Sequence, residues 1–379
     1  MLLGIDASRA APAQRTGTEA YAFHLIRALI PLAAAQGHRL RLYFNQSPPD
    51  TLFPPDTLFP PAAHVETVVM PFPRLWTHLR LGWELARRPP DVFFTPAHVI
   101  PITYYGRSVA TIHDLGYHHF PQAHTRSQLA YLRWSTRHNG RRARRILADS
   151  ATTRSDLIRF DGVDPGRIAV VYPGIDPALA PVTEPGRLAT VQQKYSVQAP
   201  YLLYLGTLQP RKNLTRLVEA YAASGVSHQL VLAGKQGWLA QPILNQIEAY
   251  RSANALRQAS LTVPGFIDDE DKAALISGAT ALLFPSLYEG FGFPALEAQA
   301  CGTAVLCAKT SSLPEIVGDG ALLVDPLDTA GLAAAIRRLA NEPQLRQQLV
   351  ERGFVNVRRF SWKTAAEQAL AVLVDAAAV

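Results

Sequence analysis

Short apolar segments that alternate with helical segments constrain the fold of this chain more than any other feature. The first half contains seven of them, at 2–6, 39–45, 66–71, 91–96, 108–114, 146–150 and 168–174. The second half repeats the pattern at 201–206, 229–234, 261–266, 280–286, 304–308 and 321–325. Apolar strands alternating with helices indicate a parallel sheet that is covered on both faces. We therefore expect an α/β protein with two Rossmann-like domains and an interdomain cleft.

The boundary between the two series of strands is rich in proline and glycine. The segment 176-DPALAPVTEPG-186 predicts a linker. We expect an N-terminal domain over residues 1–182 and a C-terminal domain over residues 195–361. A helix is predicted after Trp362, and the sequence leaves open whether residues 362–379 return to the first domain.

Composition agrees with a globular protein, since 48% of the residues are hydrophobic and 18% are charged. No apolar run is long enough to span a bilayer, and the first residues lack the basic region of a signal peptide. We therefore expect a cytoplasmic location. The two cysteines, Cys301 and Cys307, have the spacing of neither a zinc pair nor a redox CxxC motif, which predicts buried thiols.

The segment 286-SLYEGFGFPALEAQACGTAV-305 places Glu289 and Glu297 on either side of a glycine-rich turn. The turn follows a predicted strand and precedes a helix predicted over 294–301, and open α/β sheets bind ligands at such strand ends. The helix N-terminus favours a phosphate. We expect Glu297, in the first helical turn, to bind ribose hydroxyls, and Glu289 to face the reacting group. The alternative is that both carboxylates only complement the helix N-terminus, which explains Glu297 but not Glu289.

The motif 289-EGFGFPALE-297 resembles the E-x7-E motif of the retaining glycosyltransferases of family 4, which have the GT-B fold. Four further segments of the second half and four of the first match that family's pattern. They are 205-LGTLQPRKNL-214, 229-QLVLAGKQGW-238, 263-VPGFIDDEDKAALISGA-279, 312-SLPEIVGDGALLVDP-326, 16-TGTEAY-21, 111-TIHDL-115, 147-LADSATTRSDL-157 and 170-VVYPGID-176. The resemblance implies that the second domain holds a nucleotide-diphosphate sugar and that the first domain holds the acceptor.

Carried over to this sequence, the resemblance implies a role for each matching residue. Glu297 would bind the donor ribose, and Glu289 would contact the donor sugar. Arg211 and Lys212, which follow a predicted strand and Gly206, would meet the diphosphate. Two adjacent cations can also be expected to clamp leaving negative charge on physical grounds, although a solvated basic pair is the alternative.

The remaining donor contacts implied by the resemblance are made by smaller or apolar groups. Backbone amides around Phe291 and Gly292 would meet the donor sugar. Phe266 and Ile267 would lie near the base, with plain core packing as the alternative. Gly17, on the first loop, would approach the diphosphate.

His113 follows an apolar strand and precedes Asp114. The matching histidine of the family faces the donor sugar from the acceptor side, which implies a catalytic role here. The alternative is a strand-end histidine that Asp114 orients.

No metal site is predicted from the acidic residues of the second half. The run 268-DDED-271 precedes a helical pattern, so we expect Asp268 to be an N-cap with further acids in the first turn. We likewise expect Ser312 and Glu315 to form a capping box.

The basic charge is confined to the first half. Residues 1–190 hold 21 arginines, no lysine and 14 acidic residues, a net of +7, whereas the remaining 16 basic and 16 acidic residues cancel. The segment 126–146 places several arginines at roughly helical spacing, and 74–88 mixes arginine with Trp and Leu. The arginines at this spacing in the first segment are Arg133, Arg137, Arg141, Arg144 and Arg145. Such segments predict either a peripheral contact with the inner face of an anionic membrane or an ordinary amphipathic helix with a solvated face. No nucleic-acid partner is expected, because no recognition fold accompanies the arginines.

These observations predict a retaining, metal-independent glycosyltransferase that needs no cofactor besides its donor. The segment 111-TIHDLGYHHFP-121 looks most like bacterial mannosyl- and rhamnosyltransferases, so we favour GDP-mannose as donor and a glycan or lipid-linked acceptor. The family also implies a front-face attack. Two alternatives are a non-catalytic subunit that binds sugar nucleotides and an NAD-dependent dehydrogenase, although no G-x-G-x-x-G motif follows a first strand in either half.

Overall fold

Two parallel sheets organise the protein. The computed structural model describes residues 1–12, 14–53, 64–97, 99–253 and 261–378. These residues divide into two compact units. The first unit comprises Met1–Leu115, Arg126–Gly174 and Phe360–Val379, and the second comprises Gly116–Thr125 and Ile175–Arg359. Each described sheet is built from parallel strands, as the continuous apolar segments predict.

The first unit contains a seven-stranded sheet in the order β3-β2-β1-β4-β5-β6-β7. Its strands are β1 (Leu2–Asp6), β2 (Arg39–Phe44), β3 (Val65–Val69), β4 (Val92–Thr95), β5 (Ser108–Ile112), β6 (Arg145–Ala148) and β7 (Ile168–Val170). The strand order reverses between β1 and β4, which creates the switch point where such sheets bind ligands. The middle strands are buried on both faces, so their side chains form the core of this unit.

Helices cover this sheet. They are α1 (Gly17–Ala35), α2 (Gly82–Arg87), α4 (Arg126–Arg142) and α5 (Ala151–Asp161), whereas α3 (Gly116–His119) belongs to the second unit. The last helix of the chain, Trp362–Ala378, also belongs to the first unit and packs on α1. An ion pair of 2.6 Å between Arg145 and Asp375 accompanies this packing. The sequence left open whether the last helix returns to the first domain, and these contacts show that it does.

The second unit contains a six-stranded sheet in the order β10-β9-β8-β11-β12-β13. Its strands are β8 (Tyr201–Leu205), β9 (Gln229–Ala233), β10 (Leu261–Gly265), β11 (Ala281–Phe284), β12 (Val305–Ala308) and β13 (Leu322–Val324). All thirteen predicted strands are present, and several end earlier than predicted. The thiols of Cys301 and Cys307 are free and buried in this unit, as expected.

Helices alternate with the strands of the second unit along the chain. They are α6 (Pro185–Lys194), α7 (Leu214–Ser224), α8 (Gln241–Ala253), α9 (Asp269–Ser277), α10 (Phe293–Ala300), α11 (Leu313–Val317), α12 (Thr329–Asn341) and α13 (Pro343–Val357); the C-terminal helix of the first unit is α14. Helix α6 was not predicted, because its first residue falls in the proline-rich segment read as a linker. Proline is tolerated in a first helical turn, and α6 begins at Pro185.

Two features differ from the prediction. The segment Gly116–Thr125, predicted in the first domain, groups with the second unit. The basic helix α4 ends at Arg142, so the prediction that Arg144 and Arg145 continue its face is wrong. The Arg144 amide instead donates to the Ser108 carbonyl at 2.7 Å, and Arg145 opens strand β6. Among the described residues, no helix is both long and apolar enough to cross a bilayer.

Candidate active site

Two cations hold the carboxylate of Glu289 at the carboxyl edge of the second sheet. Glu289 follows β11, and Arg211 and Lys212 lie in the turn Pro210–Lys212 after the neighbouring strand β8. Lys212 Nζ is 2.5 Å from Glu289 Oε1, and Arg211 Nη1 is 3.3 Å from Oε2. Arg211 also donates to the carbonyl of Tyr288. Pairing of β8 with β11 thus brings together the three polar residues that the sequence singled out.

The electrostatic balance of this cluster is positive. Burial raises the pKa of Glu289, but the charges of Lys212 and Arg211 outweigh burial and hold the pKa below its usual value. The carboxylate is therefore ionised at neutral pH, and two cations share one negative charge. The charges of these three residues sum to +1, at a place where only 9% of the Glu289 side chain is exposed. A partly desolvated positive charge of this kind stabilises a phosphate group strongly.

Two serines brace the turn that carries Glu289. The Glu289 amide donates to Ser311 Oγ at 2.9 Å. Ser312 Oγ lies 2.9 Å from the Glu289 carbonyl and 3.0 Å from the Phe291 carbonyl. The predicted capping box of Ser312 and Glu315 is wrong, because the Ser312 hydroxyl binds these carbonyls and makes no cap hydrogen bond. Sequence rules for caps consider only neighbours along the chain and so missed this cross-loop contact.

Gly292 ends the turn and begins helix α10. Its φ of 110° lies in the left-handed region, and a Cβ would come within 2.6 Å of Leu313 Cδ2. A residue with a side chain would therefore be strained there. The helix starts at Phe293, one residue before the predicted start, with Pro294 in the first turn. The predicted contact of the Phe291 and Gly292 backbone with a donor sugar stays a prediction.

Glu297 is paired with a lysine that the sequence did not point to. Lys272 Nζ, on helix α9, lies 2.5 Å from Glu297 Oε1. The prediction that Glu297 lies in the first turn of its helix is wrong, since α10 begins at Phe293 and Glu297 is its fifth residue. Within the described part of the chain, only Oε1 of Glu297 pairs with a cation, so the carboxylate can still accept hydrogen bonds from a ligand. Lys272 was missed because it is 25 positions from Glu297.

The strand ends beside Arg211 approach one another closely. Gly206, after β8, has a φ of 150°, and Gly234, after β9, has a φ of 139°. A Cβ on Gly234 would lie 1.9 Å from the Gly206 carbonyl oxygen. The Gly234 amide donates to the Gly265 carbonyl at 2.7 Å. The contact requires bare backbone at Gly234, and Gly206 lies directly after β8 at the carboxyl edge of the sheet, in the segment that leads to the turn of Arg211. Its predicted place in a donor site stays a prediction.

The two residues expected near the base have different surroundings. Ile267 is 5% exposed and belongs to the hydrophobic core of the second unit. Phe266 is only partly buried, and Lys235 Nζ lies 4.6 Å from the centre of its ring. The Ile267 side chain therefore fits the alternative of plain core packing. Phe266 instead lies directly after strand β10, with the ammonium group of Lys235 close to its ring.

His113, in the first unit, forms a buried pair with a different aspartate from the one expected. Its Nδ1 is 2.6 Å from Asp149 Oδ2, and its Nε2 is 2.8 Å from the Pro96 carbonyl oxygen. The Pro96 carbonyl can only accept, so Nε2 carries a proton, and an ionised Asp149 accepts a second hydrogen bond from Nδ1 of the imidazolium form. Burial lowers the pKa of His113, but Asp149 outweighs burial and holds that pKa above its usual value.

Gly17 is the first residue of helix α1, after the N-cap Thr16. The Thr16 amide and hydroxyl both donate to Glu19 Oε2, each at 2.8 Å. This arrangement fixes the start of α1 at the carboxyl edge of the first sheet. The expected contact of Gly17 with a diphosphate stays a prediction.

The acidic run of residues 268–271 is used within the protein. Asp268 occupies the N-cap position of α9, but its side chain makes no cap hydrogen bond, so the predicted capping role is wrong. Its Oδ2 accepts from Lys194 Nζ at 2.8 Å, and Asp271 Oδ2 accepts from the same nitrogen at 2.6 Å. In the ranges that the structure describes, no group of three or more His, Cys, Asp or Glu residues could hold a metal ion.

Comparison with known proteins identifies the family. The model described as "Glycosyltransferase Family 4" matches residues 15–179, and the model "Glycosyl transferases group 1" matches residues 190–355. Each model covers one of the two Rossmann-like halves, so together they account for most of the chain.

Individual relatives and solved structures agree with these matches. The chain is 30% identical to O-antigen chain mannosyltransferase B of Escherichia coli over 302 residues, which are 78% of this chain and 77% of that protein. It is 29% identical to the serotype-specific mannosyltransferase WbdA of Escherichia coli over 60% of this chain, but it spans only 28% of WbdA.

Two solved structures share the fold. They are sucrose-phosphate synthase from Thermosynechococcus elongatus (TM-score 0.75, 23% identity, 99% of this chain and 98% of that chain) and Anabaena HepE in complex with UDP and glucose (TM-score 0.73, 18% identity, 98% and 99%). The fold is therefore GT-B. The family matches and the relationship to the O-antigen enzyme lead to one conclusion: this chain belongs to glycosyltransferase family 4 and is a glycosyltransferase.

Proposed function

We propose that the protein transfers a mannosyl residue from GDP-mannose to a glycan or lipid-linked acceptor, with retention of the anomeric configuration and without a divalent metal. The observation that carries this proposal is the buried cluster in which Arg211 and Lys212 share the carboxylate of Glu289. Its surplus positive charge suits a leaving nucleoside diphosphate, the one strongly anionic product of such a reaction.

Glu289 prepares the two cations for the diphosphate. Without a donor, its carboxylate holds both side chains near their working positions and balances half of their charge. A bound diphosphate accepts hydrogen bonds from Arg211 and Lys212, and Glu289 is then released to contact hydroxyls of the donor sugar. The bond between the sugar's anomeric carbon and the phosphate oxygen breaks as the acceptor oxygen bonds to that carbon. The departing phosphate oxygen takes the acceptor's proton on the same face.

Glu297 is proposed to recognise the nucleoside. Lys272 fixes one carboxylate oxygen of Glu297, and the vicinal hydroxyls of a ribose can donate to a carboxylate held in this way. Phe266 and Lys235 lie at the edge of the same sheet, where a ring and a cation can contact a base. The two carboxylates thus have different proposed roles. Glu289 contributes to turnover, and Glu297 contributes to donor affinity.

The names of the relatives support mannose as the transferred sugar. The E. coli proteins described above are named mannosyltransferases, and a Mycolicibacterium hassiacum relative that is 31% identical over 62% of this chain is an MMP alpha-(1->4)-mannosyltransferase. The HepE structures were solved with UDP or UDP-glucose, so the fold itself accommodates other bases. The choice of GDP therefore depends on the relatives.

A donor panel tests the proposal. Purified protein is titrated with GDP, UDP, dTDP and ADP by calorimetry, and the corresponding nucleotide sugars are followed for slow hydrolysis with and without EDTA. We expect GDP to bind most tightly and GDP-mannose to release mannose at the same rate in EDTA. Binding of no nucleotide, or a reaction that EDTA abolishes, would contradict the metal-independent mechanism.

A membrane contact is the second part of the proposal, and an exposed aromatic surface of the first unit supports it. Trp83 is 54% exposed, and the guanidinium groups of Arg80 and Arg87 lie 5.2 and 5.3 Å from its ring centre. Tyr105 is 80% exposed, with Arg142 4.0 Å from its ring centre. Exposed aromatic rings flanked by arginines suit the interface of an anionic bilayer.

Vesicle co-sedimentation tests this contact. We expect the protein to sediment with vesicles that contain phosphatidylglycerol and to stay in solution with phosphatidylcholine alone. Replacing Trp83 and Tyr105 by alanine should remove the binding without changing donor hydrolysis. Equal sedimentation of the variant and the wild type would instead favour an ordinary solvated face.

A further inference from the structure

A cavity at the carboxyl edge of the first sheet has no role in the reaction described so far. It measures about 330 Å³, at the lower end of the usual range for small-molecule sites. It lies where β1, β2 and the segment after β3 end. Six of its lining residues are Ser8, Arg9, Asn45, Gln46, Trp76 and Thr77. Such strand ends are the usual ligand-binding edge of open α/β sheets.

The walls of the cavity are held in place by the surrounding structure. The Ser8 amide and hydroxyl donate to Asp6 Oδ1 at 3.1 and 2.6 Å, and Asp6 is buried. Trp76 Nε1 donates to the Met70 carbonyl at 2.8 Å, which fixes the indole ring. Ser8 and Trp76 therefore form a fixed wall of the cavity, with 5% and 8% of their surfaces exposed.

Two amide side chains remain available for a ligand. Asn45 and Gln46 follow β2 directly and are exposed, and neither side chain makes a hydrogen bond within the described part of the protein. An amide offers both donors and acceptors, as a sugar hydroxyl does. Arg9, the cation that lines the cavity, pairs with Glu19 at 3.4 Å, so the cavity does not select for an anion.

We propose that this cavity binds one sugar residue of the acceptor glycan, with Asn45 and Gln46 bonded to its hydroxyls and Trp76 lining the site. This proposal rests on the proposed function. In the sheet order, β2 is three strand spacings from β5, the strand that carries His113, a separation of roughly 14 Å. The cavity therefore holds an earlier residue of the acceptor chain and not the residue that receives the new sugar. Longer acceptors gain this contact and short ones do not.

Calorimetry with α-linked manno-oligosaccharides of one to four residues tests the proposal on the donor-free protein. The wild type should bind the tetrasaccharide at least about tenfold more tightly than mannose, because two or more hydrogen bonds are added. The double variant Asn45→Ala/Gln46→Ala should lose that advantage, and Trp76→Phe should reduce it. The variant Asn341→Ala/Gln344→Ala, which removes two exposed amides of the second unit, should retain it.

Donor binding is measured on the same proteins. This measurement distinguishes a failure of the cavity proposal from a failure of the proposed donor. GDP affinity and GDP-mannose hydrolysis should be unchanged in the cavity variants. A wild type that binds GDP but no manno-oligosaccharide at millimolar concentration would overturn the cavity proposal alone. Retention of the length preference in Asn45→Ala/Gln46→Ala would overturn it as well. Loss of GDP binding in the wild type would count against the proposed function.

Discussion

Two buried ionic clusters, one at the carboxyl edge of each sheet, differ in their charge balance. In the second unit, Arg211 and Lys212 share the single carboxylate of Glu289. In the first unit, His113 and Asp149 form a one-to-one pair, and the Pro96 carbonyl occupies the other ring nitrogen. The Glu289 cluster joins two cations to one carboxylate, whereas the His113 cluster joins one imidazole ring to one carboxylate.

This difference indicates different tasks. Burying two cations costs free energy that one carboxylate offsets only in part. We therefore expect the Glu289 cluster to exchange contacts with a diphosphate, which adds negative charge. In the His113 pair, both ring nitrogens already have partners. His113 is therefore positioned by Asp149, and contact with a donor sugar would require its bond to the Pro96 carbonyl to break. The five predictions below test this contrast and the donor site around it.

The largest effect is expected when the shared carboxylate loses its charge. Glu289→Gln should reduce kcat by about a hundredfold to a thousandfold, the usual cost of removing one group that stabilises a transition state. GDP affinity should stay the same or rise, because both cations lose their internal partner. Steady-state kinetics and GDP calorimetry measure the two quantities. The exposed Glu270→Gln serves as control, and a weaker GDP affinity with unchanged kcat would reverse the assignment.

The pair of His113 and Asp149 should matter mainly for stability. Asp149→Asn leaves a buried imidazolium without its countercharge, which should lower the free energy of unfolding by about 3 kcal/mol or more. Urea denaturation measures this change. The surface pair offers a matched control, since Asp375→Asn removes an exposed partner of Arg145 and should cost less than about 1 kcal/mol.

The same pair gives a pH dependence with a definite sign. The folded pKa of His113 is raised above the ordinary value of 6.5, so the pair stabilises the fold fully below 6.5. That contribution is lost as the pH rises through the folded pKa. We expect the wild type to lose stability over this interval and Asp149→Asn to show a flatter profile. Parallel profiles for the two proteins would show that the pair is not ionised as described.

Glu297 provides an intermediate effect on the donor side. Glu297→Ala should weaken GDP binding about tenfold to a hundredfold, the value of one or two hydrogen bonds to a charged group. Inhibition by inorganic pyrophosphate should be unchanged, because that ligand has no ribose. Glu248→Ala, on the surface of α8, is the control. Equal losses for GDP and pyrophosphate would place Glu297 at the phosphates.

The smallest effect is expected from the serine that braces the turn. Ser312→Ala should cost about 1–2 kcal/mol of stability, because two buried carbonyls lose a donor. It should also lower kcat modestly with GDP affinity intact, since the turn of Glu289 becomes less rigid. Ser252→Ala, on an exposed part of α8, should change neither quantity. Thermal unfolding measures the stability and steady-state kinetics measures kcat. A loss of stability with an unchanged kcat would show that Ser312 has only a structural role.

Sequence rules succeeded where the signal is local. Each strand was recognisable because parallel strands buried on both faces must be apolar throughout. The turn around Glu289 was recognisable because glycines cluster between a strand and a helix. The same local rules failed at Ser312 and Asp268, whose side chains prefer partners across a loop or on another helix to the cap of their own helix.

The sequence by itself determined the two-domain α/β architecture, the family and the positions of Glu289, Glu297, Arg211 and Lys212. Only the tertiary structure decided which charges meet. Lys272 beside Glu297 and Asp149 beside His113 became visible through the packing of separate elements. The physical reason is that burial leaves a periodic pattern of apolar residues along the chain. An ion pair between distant residues depends instead on strand order and helix packing, and the residues next to each partner in the sequence do not reveal it.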